Sequence, residues 1–436
     1  MVRTLSGIQT ALDNTYSHNK LVIQLNPMIS IPRPTIRAPK KRKSKIYIAV
    51  FMLVIFAGTC LRFYAMSRGH NFDFESYKIV GDIVARGGNV YAETVRYNYG
   101  PVWFGILGLF REISLLFTSQ DFLFRILITG FLTIVDILIS IILYKKYSLA
   151  TAVIFFINPI SIEITGFHNQ FDNLAVLIGL VGLLLMPKPG SNRLTKQHIY
   201  SAVIIGLSLM TKHIFFMLPL WLFIREKSIS IKLAMFFIPL TIFGLSFLPF
   251  IFNGGLAGII QNVFLYKSFA NAPLLYALFS QGIVTLISPT LVLVLALVIA
   301  GFVTRKLPLF EAGLWYLITL VVFSPAIANQ YLAIVTPALA VFGAVFFIPF
   351  FVIATFMLWG TDGIYSKTIY NLIPDRLLPY IEQSPDNGHY KLVILTLFLG
   401  AALLIVYRYR SAWYGQLYTT IRTTLEEQFD QIRSIR

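Results

Sequence analysis

Charge is what this chain has least of. Asp, Glu, Lys and Arg make up only 13% of its 436 residues, against roughly 25% in a soluble domain, while 57% are apolar and mean hydropathy is +0.73. So few polar side chains cannot clothe a globule of this size, which excludes a soluble enzyme, a disordered chain and a coiled coil. An all-α integral membrane protein remains. The apolar residues run in continuous blocks rather than in alternation, which argues against a β-barrel.

Other absences narrow the reading further. One cysteine, Cys60, rules out an intramolecular disulfide and leaves the redox compartment unread. There is no Gly-x-x-x-x-Gly-Lys-Ser/Thr, no His-Glu-x-x-His and no Cys-x-x-Cys. No soluble Rossmann-like domain exists to hold a nucleotide-linked donor, so a transferred group is expected to arrive on a lipid carrier. No repeat of fixed period is visible, which counts against a secondary transporter. Leu21 to Ile31 is broken by Gln24, Asn26 and Pro27 and does not form the apolar region of a signal peptide.

Acids are the scarcest charge: 19 against 36 Lys and Arg, a net charge of +17. The bases sit in short clusters between apolar blocks, the densest being Arg37, Lys40, Lys41, Arg42, Lys43 and Lys45. That is a positive-inside pattern rather than a nucleic-acid stripe, so no nucleic-acid partner is expected. It places residues 1–45 in the cytoplasm as a basic arm beside anionic lipid.

Apolar blocks lie near 46–66, 123–144, 149–164, 171–186, 199–224, 231–252, 289–304, 308–324, 329–359 and 391–408, with shorter ones at 101–118 and 273–287. They predict a multi-pass helical bundle of about 10–13 transmembrane helices over 46–410, followed by a cytoplasmic tail, 411–436. Two blocks read either as one long helix or as two half-crossings. One, 199–224, carries Lys212 and His213 at its middle; the other, 329–359, contains Pro349. Alternating the basic clusters requires both to break, giving about twelve crossings and both termini inside. Residues 67–122 then form a long first external loop.

The polar residues gather on the predicted outer side. The first loop holds Asp73 and Glu75 just after a membrane helix, followed by Tyr97-Asn98-Tyr99-Gly100-Pro101. A carboxylate at that boundary either is simply solvated or takes a proton from an incoming hydroxyl. A second cluster is His168-Asn169-Gln170-Phe171-Asp172, where Asp172 or Asn169 is also read as a helix cap. Glu163 and Asp136 are ionisable residues at membrane depth, and Asp136 is expected to pair with Arg125 in a structural role. Lys212 either snorkels to an interface or, with His213, holds a lipid phosphate. Ser324 to Tyr331, including Gln330, forms a fourth group, and the loop 253–273 with Asn262, Tyr266, Lys267 and Asn271 a fifth. Asp73-x-Glu75 is too short a motif to support a divalent metal, so no cofactor is expected.

The order of these motifs resembles the GT-C fold glycosyltransferases, which use polyprenyl- or dolichyl-phosphate sugars. The nearest likeness is to the polyprenyl-phosphate-mannose-dependent group related to glycosyltransferase family 87, with the catalytic subunit family of GPI mannosyltransferase I as a distant cousin. The resemblance rests on Asp73 and Glu75, Gly87 and Tyr91, Tyr97 to Pro101, Arg125, Asn158-Pro159 to Asp172, Met210 to His213, and Phe323 to Tyr331. Gly100 stands where the family often has the first of two prolines.

The resemblance implies a glycosyltransferase that moves a sugar, most readily mannose, from a polyprenyl-phosphate donor to a lipid-linked or other glycan acceptor. The reaction would run with inversion on the non-cytoplasmic face of a bacterial or archaeal plasma membrane or of the endoplasmic reticulum. It makes Asp73 the general base and Glu75 the second candidate. Lys212, His213 and His168 would serve the leaving phosphate, and Gln170 and Asp172 the sugar hydroxyls. Asn169, Tyr97, Tyr99 and Gln330 complete the expected substrate contacts. The other readings are a flippase for a lipid-linked sugar, which would favour polar residues at mid-membrane, and a noncatalytic scaffold, which leaves the clustered polar residues unexplained.

Overall fold

A computed structural model of the chain describes residues 45–118, 121–187, 193–266, 272–361, 363, 390–408 and 410. Apart from Lys45, the expected tails 1–45 and 411–436 lie outside the described residues, as do Lys267 and Asn271. The described residues form an all-α, multi-pass membrane protein with no strand among them.

The first long apolar helix, α1 (Lys45–Arg68), leads into the segment expected as a loop. That segment is instead mostly helical: α2 (Phe72–Ala85), a single turn α3 (Val90–Glu93) and α4 (Pro101–Phe117). The chain starts each of them locally. The Asn71 side chain caps α2 by accepting from the Asp73 N–H, the Asn89 side chain caps α3, and Pro101 opens α4 where no N–H is needed. α2 packs along α4, with Tyr77 edge-on to Trp103 and Val84 close against Gly108.

The membrane helix α5 (Asp121–Lys146) follows, with Lys145 and Lys146 in its last turn opposite the negative end of the helix dipole. The block 149–164 divides at Asn158-Pro159 into α6 (Leu149–Phe156) and α7 (Pro159–Gly166), bent by 48°. A proline has no N–H to continue the first helix, while Asn158 caps the second. Next come α8 (Asp172–Leu185) and α9 (Lys196–Thr211). At Lys212 the backbone turns extended, a short 3₁₀ turn follows at His213–Phe215, and α10 (Leu218–Arg225) resumes. The expected break in 199–224 therefore falls at Lys212.

The rest comprises α11 (Ile229–Leu245), α12 (Gly255–Phe264), α13 (Pro273–Leu278), α14 (Gln281–Val284), α15 (Pro289–Thr304), α16 (Leu309–Val322), α17 (Tyr331–Phe342), α18 (Ile348–Thr361) and α19 (Tyr390–Arg408). The block 329–359 breaks at Gly343, whose φ of 118° suits glycine, whereas Pro349 sits harmlessly in the first turn of α18.

Among the described residues four helical spans are long and apolar enough to cross a membrane: α1, α5, Ile229–Phe250 and α19. The bent α6–α7 pair makes a fifth. The sequence blocks promised about twelve crossings. That count already divides 199–224 and 329–359, which break at Lys212 and Gly343; Pro159 divides a further block.

Candidate functional site

The site is assembled from five stretches of chain: 71–77, 97–101, 168–173, the break at Lys212 and 324–331. The capping of α2 by Asn71 places Asp73 in its first turn, and Tyr77 lies one turn further along the same face. Asp73 Oδ2 accepts a hydrogen bond from Asn71 Nδ2 at 3.1 Å and a second, short one from Gln170 Nε2. The Tyr77 hydroxyl donates to Gln170 Oε1 at 3.0 Å, which fixes the amide so that its nitrogen faces the carboxylate. Asn71 Nδ2 also lies 2.9 Å from His168 Nδ1.

Asp73 is half-buried. Burial pushes its carboxyl above the ordinary carboxylate range. Hydrogen bonds from Asn71 and Gln170 and the charge of Lys212 oppose that push in part, while the charge of Asp172 adds to it.

Gly100 brings the 97–101 turn close to α9: a Cβ there would lie 2.0 Å from the Met210 carbonyl oxygen. A side chain at position 100 would collide with that backbone. The Tyr97 hydroxyl donates to the Gly100 carbonyl at 2.6 Å and accepts from the Phe104 N–H at 3.2 Å. Tyr97 is thus buried and holds the turn. Tyr99 faces the site, with its ring centroid 4.7 Å from Lys212 Nζ.

Lys212 Nζ donates to Asp172 Oδ2 at 2.8 Å, with 7% and 0% of the two side chains exposed. The Phe171 ring lies beside that of Tyr99, edge-on to it at 4.9 Å, and its centroid is 5.0 Å from the ammonium. The other carboxylate oxygen, Asp172 Oδ1, is buried and has no hydrogen-bond partner among the described residues. A cavity of about 480 Å³ opens beside this pair. Asp172, Lys212, His213, Ser324 and Tyr331 line its polar part, and Phe216, Leu293, Leu320 and Ile334 its apolar part. It joins a fixed cation to a carboxylate oxygen in want of a donor, next to a greasy wall.

Several expectations are revised. Glu75 is exposed and turns towards His70, with Oε1 3.6 Å from Nε2, so it and Asp73 engage different partners. Neither Asn169 nor Asp172 caps α8: the cap position is Phe171, and it makes no side-chain cap bond. Lys212 does not snorkel; its ammonium is buried on Asp172. The expected Arg125–Asp136 pair is absent. The two are eleven residues apart on one helix, about 16 Å along its axis, out of reach of each other. Asp136 pairs with Arg62 instead, at 2.9 Å, and Arg125 donates to Asn169 Oδ1 at 3.1 Å. Gln330 stands at the start of α17 and does not line the cavity, whereas its neighbour Tyr331 does.

Asn71, Tyr77 and Arg62 were not singled out in the sequence. An Asn two residues before an Asp was a legible capping signal, but Tyr77 became a partner only once 72–85 was helical. Among the described residues no group of three or more His, Cys, Asp or Glu side chains is close enough to hold a metal ion. Compared with known proteins, the chain matches no family model, no curated protein and no solved structure.

Proposed function

We propose that the chain is a membrane glycosyltransferase. It moves a sugar, with mannose the leading candidate, from a polyprenyl-phosphate carrier to an acceptor hydroxyl, and Asp73 is the general base. The observation that carries this reading is the cavity at Lys212 and Asp172, which offers a cation, an unfilled carboxylate oxygen and an apolar wall; Asp73 does not line it but feels the charge of both residues. A lipid-linked sugar phosphate has the matching parts: an anion, hydroxyl donors and a hydrocarbon chain.

In this reaction the ionised Asp73 takes the proton from the acceptor hydroxyl as its oxygen attacks the anomeric carbon. The new C–O bond forms while the bond from that carbon to the phosphate oxygen breaks, and the electron pair leaves with the phosphate. Attack from the face opposite the phosphate inverts the configuration. Positive charge builds on the sugar and negative charge on the leaving oxygen, and the Lys212 ammonium stabilises the latter. Asp172 Oδ1 accepts a sugar hydroxyl, and the Tyr99 and Phe171 rings bound the sugar's path.

The test is Asp73→Asn in nanodiscs with a radiolabelled polyprenyl-phosphate sugar. Loss of general-base catalysis should lower transfer about 10²- to 10⁴-fold with little change in donor binding. Transfer at the wild-type rate would remove Asp73 as the base. The breaks at Asn158-Pro159 and Lys212 favour a second reading, a lipid-linked sugar flippase, because discontinuous helices line transport sites. Movement of labelled lipid across the bilayer without any sugar transfer would decide for it.

A further inference from the structure

Two segments that are far apart in sequence meet at the Asp73 carboxylate: 69–77, which carries Asn71, Asp73 and Tyr77, and 166–171, which carries His168 and Gln170. One guanidinium touches both. Arg125, from the second turn of α5, donates through Nη2 in a short hydrogen bond to the Gly69 carbonyl and at 3.4 Å to the Phe167 carbonyl. Its Nε donates to Asn169 Oδ1 at 3.1 Å. It also lies over the Phe74 ring, 5.6 Å from the centroid.

Asn169 is the other half of the device. Its φ is 55°, a left-handed conformation that asparagine tolerates better than most side chains. It is fully buried, and its amide nitrogen donates to Thr129 Oγ1 at 2.7 Å and to the Thr165 and Gly166 carbonyls at 3.1 Å each. This turn sends His168 and Gln170 towards α2, while Arg125 and Thr129, one turn apart on α5, anchor it to the membrane helix.

We propose that Arg125 is a positioning residue of the Asp73 site: it clamps 69–74 to 167–169, so that Gln170 and Asn71 reach the carboxylate together. The consequence for catalysis rests on the reading given under Proposed function, but the clamp itself can be measured without any turnover. The guanidinium serves both segments from one planar group, which an ammonium cannot reproduce, so Arg125→Lys is expected to restore only part of the effect.

The experiment is hydrogen exchange by mass spectrometry on the full chain in nanodiscs, for the wild type, Arg125→Ala, Arg125→Lys and Asn169→Ala. Removing charged hydrogen bonds of this kind should speed exchange about tenfold or more in 69–76 and 166–172 together, with α9 to α11 unchanged. Arg125→Lys should fall between wild type and Arg125→Ala. Where a labelled donor supports transfer, kcat should fall and its acidic limb should move to higher pH, with the donor KM changed less than about threefold. These are the signs of a base that has lost its hydrogen-bond partners rather than of a lost binding contact.

Loosening of only one segment, or of neither, overturns the clamp. So does an unmoved acidic limb in an active Arg125→Lys enzyme. If Arg125→Ala fails to fold, Arg125→Lys and Asn169→Ala carry the same comparison. A wild type that transfers no sugar removes the glycosyltransferase reading, and the exchange data then decide the clamp alone.

Discussion

Among the described residues two ion pairs have both partners buried, and they are built differently. Arg62–Asp136 is closed. Arg62 gives all three nitrogens to Asp136, Ser161 and the carbonyls of Gly58 and Phe156. Asp136 accepts in turn from Ser161, Thr165 and Asn173. It thereby ties α1, α5, α6, α7 and α8 at one point. Lys212–Asp172 is open: one carboxylate oxygen has no partner among the described residues, the ammonium lies near two aromatic rings, and both residues line a cavity. A charge pair with every hydrogen-bonding position filled serves the fold. One with a position left unfilled beside a cavity is the kind that the proposed function calls for.

The largest effect expected from this contrast comes from breaking the closed pair. Asp136→Ala leaves Arg62 charged and uncompensated in the membrane interior, and it should lower stability by about 3–5 kcal/mol, read as lost monodisperse protein or a fall in Tm. An Asp136→Ala protein as stable as the wild type would abolish the distinction between the pairs.

Next comes Lys212→Met, which keeps the length of the stem and removes the charge. Transfer from a polyprenyl-phosphate sugar should fall about 100-fold, or about 2.7 kcal/mol of transition-state stabilisation, while Tm falls much less than in Asp136→Ala. Equal losses of stability at the two sites would make Lys212–Asp172 merely structural.

Asn71→Ala tests the base. Asp73 must be ionised to accept a proton, so the rate rises as pH climbs through its raised folded-state value. Removing the Asn71 hydrogen bond takes away the largest influence that holds the carboxyl down, so the acidic limb should move further up while the high-pH plateau changes less. The lost cap should cost about 1 kcal/mol of stability. A limb that stays in place or moves to lower pH contradicts the assignment.

Glu75→Gln should do least: within about 0.5 kcal/mol in stability and within about twofold in rate, since Glu75 is exposed and faces His70. A large loss of transfer would return Glu75 to the site.

The comparison also marks where sequence reasoning reached and where it stopped. Apolar blocks located α1, α5, α8 and α19 to within a few residues, because a long run of apolar side chains has one stable arrangement in lipid. The break at Lys212-His213 was legible because a lysine in the middle of such a block does not face hydrocarbon. The helical character of 72–85 and 101–117 was not, since amphipathic helices beside a membrane resemble a polar loop in composition. Pairing was the least accessible. Asp136 had bases available on several elements, and the Arg125 three turns back on its own helix looked near in sequence but was out of reach.

By itself, then, the sequence determined that this is a helical membrane protein and that its scarce acids gather early in the chain, with Asp73 at the head of the group. Apolar run length and residue identity suffice for both. Tertiary structure alone decided which acids meet which bases, that Asp73 faces Gln170 while Glu75 turns away, and that Asp172 keeps one oxygen unfilled beside a cavity. Those outcomes depend on contacts between residues 40 to 97 positions apart, which only the packing of the helices brings together.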